Sequence, residues 1–349
     1  MARPPTLEDV ARAAGVSRAT ASRVLNGTRN VDPELQEAVR SAVASTGYVP
    51  NSAARSLVTR RTGAVALVIS GAGDEGDDTD GDGEGAYRRQ VLSDPFFGRV
   101  VDGAIGALRP YGMHPLLMLA ESAEARAEVV DRLRQGMADG ALLVSTHGED
   151  LLPGMLTSAG VPTVLFARPA RPVPASYVDL AHRDGARLAA EHLIARGCER
   201  VATISGPLDV LAGQERFAGL REAMERRGHP YLPCAEGNFT RESGEEAMTR
   251  LLREHPDLDG VFAANDLMAQ GALHVLQQHG KHIPTDVAVI GFDDSSAATA
   301  TRPTLTTIRQ PVEDMAGEMV RMLVAALDAP AARPSSVIFE PSLVVRESA

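Results

Sequence analysis

Ser17-Arg18-Ala19-Thr20-Ala21-Ser22-Arg23-Val24-Leu25-Asn26 (SRATASRVLN) is the stretch whose reading decides the architecture of this 349-residue chain. Ser17 is a natural N-cap. Ala21, Val24 and Leu25 then fall on one face of a 3.6-residue period, leaving Arg18, Ala19, Ser22 and Arg23 on the other. A short helix with a small apolar stripe cannot stand alone, so its partners must lie close in sequence.

They do. Upstream, Thr6-Leu7-Glu8-Asp9 has the form of a capping box, Leu7, Val10, Ala11 and Ala14 recur at helical spacing, and Gly15 ends the run. Downstream, Asp32-Pro33 opens a third helix with proline in its first turn, Leu35, Val39, Ala42 and Val43 form its stripe, and Gly47 stops it. Two helices joined by a glycine-containing turn, closed by a third, make a helix-turn-helix unit. Asn51-Ser52-Ala53-Ala54-Arg55-Ser56-Leu57 then reads as a helical segment too short to be stable by itself, a coil-to-helix switch between this head and the larger body.

Charge separates the two parts. Residues 1–61 hold nine arginines against five acids, +4, so the rest carries −15 of the total −11. A basic head on an acidic body points to a polyanion partner for the head alone. Two cysteines, Cys198 and Cys234, cannot form a disulfide framework and fit a reducing compartment. MARPPTLEDV lacks the apolar core of a signal peptide, and no apolar run nears the ~20 residues of a membrane span, so a cytoplasmic, nucleoid-associated protein is expected.

From Arg60-Arg61-Thr62-Gly63 onward, short apolar strands alternate with longer amphipathic helices. Strands are expected at 64–70, 115–119, 141–145, 163–166, 201–205, 260–264 and 287–292. Repeated β-α alternation argues for doubly wound parallel sheets. The strand count and the proline-rich break at 169–174 argue for two lobes with a ligand cleft between them.

The segments TLEDVARAAGVS, ATASRVLNG, GYVPN and AARSL, spread in order from Thr6 to Val68, resemble the lactose-repressor/galactose-repressor family of transcription factors. SDPFFGRVVDGA, ISGPLDVLAGQERFAGL, FAANDLMAQGAL, IPTDVAVIGFDD and RPTLTTIRQP extend the resemblance through the body. It implies an all-α helix-turn-helix head (1–50), a hinge helix and linker (51–61), and a periplasmic-binding-protein-like α/β body (62–349) of two doubly wound parallel-sheet lobes. Lobe one would take about 62–177 and 309–334, lobe two about 178–308 and 335–349, with one final strand near 336–346 in the second lobe. It implies further that Arg18, Ala19 and Arg23 read bases, while Thr6, Ser17, Thr20, Ser22, Asn26 and Asn30 anchor phosphates. Asn51, Ala54 and Leu57 would place paired hinge helices in the minor groove.

In the body, the resemblance puts Phe96, Arg168, Arg216, Phe239 and Asp266 at the ligand. Rings suit the apolar faces of sugars, and Arg and Asp suit their hydroxyls, although Asp266 also reads as a helix N-cap; the alternatives are a regulator answering to a purine or other metabolite, or a transport-type sugar-binding protein. Ala167 departs from the Asp that precedes the Arg168 position in many relatives. The resemblance as a whole implies a homodimeric repressor of sugar-utilisation genes, no enzyme, bound to a pseudo-palindromic operator and switched by a small effector, with no cofactor. With the last expected strand close to Ala349, a dimer without the heptad tail that makes some relatives tetramers is expected.

Two local patterns carry no site. Gly71-Ala-Gly73-Asp-Glu-Gly76 has the GxGxxG spacing but runs into acids where pyrophosphate would sit. Asp78, Asp80 and Asp82 open like a calcium loop, but Arg89 stands at the twelfth position, where a bidentate Glu belongs. Residues 71–90 are expected to be an acidic disordered loop.

Overall fold

The computed structural model describes residue 3 and residues 5–25, 31–48, 61–71, 83–145 and 147–349. Two compact units emerge, Met1–Gly63 and Ala64–Ala349.

In the first unit, α1 (Leu7–Ala13), α2 (Arg18–Leu25) and α3 (Pro33–Thr46) enclose a core of Val10, Ala11, Ala21, Val39 and Ala42, flanked by Leu7, Val16, Val24, Leu25, Val43 and Tyr48. The capping box forms: the Asp9 amide donates to Thr6 Oγ1 at 3.4 Å and the Thr6 amide to Asp9 Oδ2 at 2.9 Å. Ser17 caps α2 by accepting from the Thr20 amide at 3.1 Å, and Asp32 caps α3. Gly15 and Gly47 take the left-handed conformation that ends α1 and α3. Leu35 departs from the expected stripe and stays 40% exposed. At 14 residues, α3 is about twice as long as its partners of seven and eight, which cannot cover its whole length.

The second unit contains twelve strands among the described residues: β1 (Ala64–Ser70), β2 (His114–Ala120), β3 (Ala141–Ser145), β4 (Thr163–Phe166), β5 (Ser176–Leu180), β6 (Val201–Ser205), β7 (Cys234–Glu236), β8 (Gly260–Ala263), β9 (Ala288–Asp293), β10 (Thr306–Arg309), β11 (Ser336–Phe339) and β12 (Ser342–Val344). They form two six-stranded sheets, ordered β11-β5-β4-β3-β1-β2 and β12-β10-β9-β8-β6-β7. The first is wholly parallel; in the second only β12 runs antiparallel, against β10. Five strands of each follow the doubly wound order 2-1-3-4-5, which opens its binding crevice at the carboxyl ends of the strands.

Three details correct the expected lobes. Residues 83–90, expected as loop, belong to the helix Gly83–Ser93, whose Val91 is buried and whose Tyr87 packs against the same core. Residues 72–82, including most of both discounted patterns, lie outside the described residues. The single final strand is two. Ser336–Phe339 joins the first sheet beside β5, and Ser342–Val344 joins the second beside β10. Pro341 stands between them; lacking an N–H, it cannot continue a ladder, and the chain changes sheet there. The first sheet also continues through β5 to Leu180, past the expected limit at 177. The helix His182–Ala195 then packs on the second sheet, and Val312–Asp328 returns to pack against Pro95–Leu108 in the first lobe.

Candidate functional site

In the head, α2 presents Arg18, Ala19 and Arg23 outward, all exposed, with Thr20 and Ser22 half-buried beside them. Arg18 Nε lies 3.7 Å from Glu8 of α1, an exposed pair that a stronger anionic partner can displace at little cost. Thr6 and Ser17 are both occupied as caps; Ser17 Oγ is also 2.9 Å from Thr20 Oγ1. The exposed arginine and methyl face suit a major groove, where Arg pairs with guanine and Ala admits a thymine methyl. Asn26, Asn30, Asn51, Ala54 and Leu57 lie outside the described residues.

In the body, the carboxyl ends of both sheets open onto a single cleft with a cavity of about 180 Å³. Arg216, on the helix Leu211–Arg226, is its buried centre. Nη1 donates to the Ala264 carbonyl at 2.5 Å, Nη2 to Gln310 Oε1 at 3.2 Å and Nε to His182 Nδ1 at 3.3 Å. The guanidinium sits 3.7 Å from the Phe292 ring centre, a cation–π stack that fixes its plane. Accepting at Nδ1 sets the tautomer of His182: its proton is on Nε2, facing Asp179 Oδ1 at 3.6 Å. Burial drives the His182 pKa well below the usual value, with Arg216 adding to the effect, so the ring is neutral at neutral pH.

Asp293, at the end of β9, faces Arg216 Nη1 at 3.5 Å. Burial still dominates its titration: the carboxyl is pushed well above the usual carboxylate range despite Arg216, with Asp266 and Asp94 adding repulsion. Asp94, which caps the helix Pro95–Leu108 by accepting from the Phe96 amide, is raised by burial as well. The cleft therefore holds one buried cation, Arg216, beside the carboxyl groups of Asp94 and of the buried Asp293, a setting that suits hydroxyl-bearing ligands.

Aromatic walls complete it. Phe96 lies edge-on to Phe166 with centroids 5.3 Å apart and 5.2 Å from Phe97, which is buried in the core. Phe239 lines the cleft from the second lobe, 6.0 Å from the Arg216 guanidinium, and its carbonyl accepts from Asn265 Nδ2 at 2.8 Å. A side chain at Gly206 would overlap the Phe239 ring, so glycine is required there to seat it. Backbone strain gathers at the same place. Among the described residues, Ala167, Phe239, Asp293 and Asp294 are the non-glycine residues with positive φ, and the first three line the cleft. Arg168 stands at the rim, paired with Glu215 of the opposite lobe.

Asp266 is not a cleft residue. Its carboxylate accepts from Thr307 Oγ1 at 2.6 Å and from the Ser295 amide at 2.7 Å, binding β10 and the turn after β9 to the helix Asp266–Gln278. One residue along a helix start turns a side chain by about 100°. It is therefore Asn265, the N-cap, that reaches the cleft. The sequence reading also missed Asp94, His182, Asp293 and Gln310. Asp94 and Asp293 carried a usable signal, a carboxylate at a helix start after a strand and another at a strand's carboxyl end. Among the described residues no helix is long and apolar enough to cross a membrane, and no acid–histidine–cysteine cluster could hold a metal ion.

The family model for bacterial regulatory proteins of the lacI family matches residues 6–51, and that for a periplasmic binding protein-like domain matches residues 190–349. Over 351 residues the chain is 43% identical to the HTH-type transcriptional regulator CelR of Thermobifida fusca, covering 99% of this chain and 98% of that protein. Among solved structures, a transcriptional regulator CelR–cellobiose complex superposes with a TM-score of 0.75 at 41% identity, covering 99% of this chain and all of that one. The lac repressor dimer bound to operator and the anti-inducer ONPF gives a TM-score of 0.81 at 25% identity, with 99% of each chain covered. With a helix-turn-helix head, a two-lobed body and a polar cleft between its lobes, the chain belongs to the lacI family of bacterial regulatory proteins and is a DNA-binding transcriptional regulator.

Proposed function

We propose that the protein is a cytoplasmic, homodimeric repressor of sugar-utilisation genes whose hold on a pseudo-palindromic operator is released by a cellobiose-type disaccharide in the inter-lobe cleft. The observation that carries this reading is the likeness across 99% of the chain to a regulator solved with cellobiose. The cleft supports it. Phe96 and Phe239 offer ring faces to pyranose C–H groups, and Arg216, Asp293, Asn265 and Gln310 offer donors and acceptors to hydroxyls. Arg168 belongs to the rim, where its pairing with Glu215 helps hold the lobes together.

At the DNA, Arg18, Ala19 and Arg23 read bases in each half-site, while Thr6, Ser17, Thr20 and Ser22 steady the head on phosphates, with Asn26 and Asn30. A dimer supplies two heads to two half-sites. Sugar binding shifts the lobes toward an arrangement in which Asn51, Ala54 and Leu57 of the two hinges do not pair, a coupling on the order of 1–3 kcal/mol. A thermal-shift panel of cellobiose, ribose, glucose and purines tests the ligand: cellobiose should raise the melting temperature most. A larger shift with a purine, or no shift with any sugar, would overturn the assignment.

A further inference from the structure

The Arg216 group does not account for all the polar atoms in the cleft. On the opposite lobe, the loop after β3 brings His147 and Asp150 to the cavity lining. His147 Nε2 and Asp150 Oδ2 are both shut off from solvent and have no hydrogen-bond partner. The other oxygen of Asp150 is engaged, accepting from the Leu152 amide at 2.9 Å at the start of the next helix. Leaving two such atoms unpaired is costly, and a binding site is a place where that cost is retained for a ligand to remove.

Between them sits Gly148, against the main-chain carbonyl of Asp209 in the second lobe; any side chain at 148 would overlap that carbonyl. The loop is thus a point where the two lobes touch. Its chemistry suits vicinal hydroxyls: a carboxyl oxygen accepts from one, and an imidazole nitrogen accepts from or donates to its neighbour.

We infer that the loop carrying His147 and Asp150 is a second sugar subsite, taking hydroxyls of the disaccharide's distal ring while Arg216 and Asp293 hold the proximal one. The contact of Gly148 with Asp209 places this subsite where the two lobes meet. The subsite therefore selects two-ring over one-ring ligands and ties that choice to lobe contact. This rests on the proposed glucoside effector.

The test is calorimetric titration of the full-length protein with cellobiose and with methyl β-D-glucopyranoside. Asp150→Asn retains the oxygen that caps the helix and replaces the free acceptor with a donor; His147→Ala removes the ring. Each should weaken cellobiose binding about tenfold and the one-ring glucoside less than about twofold. The ligand-free melting temperature of Asp150→Asn should not fall, since its cap bond is kept and the oxygen replaced has no partner to lose. Equal loss for both sugars, a fall in ligand-free melting temperature matching the loss, or unchanged cellobiose affinity overturns the subsite. Wild-type protein that binds neither sugar overturns the effector assignment itself, and the subsite with it.

Discussion

Arg99 Nη1 donates to the main-chain carbonyl of Asp293 at 2.8 Å, fastening the strand end that supplies a cleft carboxylate to a helix of the opposite lobe. The same guanidinium bonds the Gln310 carbonyl at 3.0 Å and grips Glu313 with two bonds of 2.6 and 2.7 Å. Asp293 and Gln310 both present side chains to Arg216, so one residue outside the cleft lining holds two of those inside it.

Arg99→Ala should therefore destabilise the body by about 2–3 kcal/mol, a value kept modest because Glu313 is partly exposed. Lysine should recover only part of it, since a point charge cannot serve a carboxylate and two carbonyls in one plane. Urea unfolding of the three proteins measures this. A loss below about 0.5 kcal/mol for the alanine variant would show that the fork is not what holds the two lobes here.

The raised carboxyl of Asp293 fixes the sign of a pH dependence. Burial lifts its folded-state pKa to about 8, above the ordinary value of 3.8. The native state thus binds the extra proton, and the contribution is complete below about pH 4 and lost as pH rises toward 8. Asp293→Asn, neutral throughout, should flatten the fall in ligand-free stability between pH 5 and 8, as read by thermal melts across that window. An unchanged slope would place the effect elsewhere.

Ala167 adopts φ 76° where it lines the cleft. Glycine accepts that conformation without a Cβ clash, so Ala167→Gly should stabilise the protein by about 1 kcal/mol despite the greater freedom it gives the unfolded chain. A melting temperature below that of the wild type would mean that the methyl group's packing outweighs the strain.

Arg18→Ala should cost about 1–3 kcal/mol per contacted base pair and relax selection at a guanine in each half-site. Operator selection from a random pool measures it. Retained guanine preference would assign the reading to another residue.

The head was legible because capping, helical spacing and glycine stops agreed locally at Thr6–Asp9, Ser17 and Asp32–Gly47. Most strands of the body were legible as short apolar runs, β3 and β6 among them. β5, SYVDL, was not, because Ser176 and Asp179 break the apolar run. The helix Gly83–Ser93 was hidden by two glycines and an acidic neighbourhood; only Tyr87 and Val91, four apart, marked its buried face. In the cleft, the rings and Arg216 were placed by resemblance, but Asn265 and Asp266 are adjacent and chemically alike, and only the turn of a helix separates the ligand's face from the core's. Asp293 was illegible for another reason: its role depends on Arg216, 77 residues earlier in the chain, lying 3.5 Å away in the fold.

On the function proposed above, a sugar in the cleft governs the head's hold on DNA. Fluorescence anisotropy of the full-length protein on an operator recovered by selection, titrated with cellobiose, tests it most directly. Operator affinity should fall by about 5- to 150-fold at saturating cellobiose, with ribose inert. Operator affinity unchanged by cellobiose, under conditions where calorimetry shows the sugar bound, would contradict it.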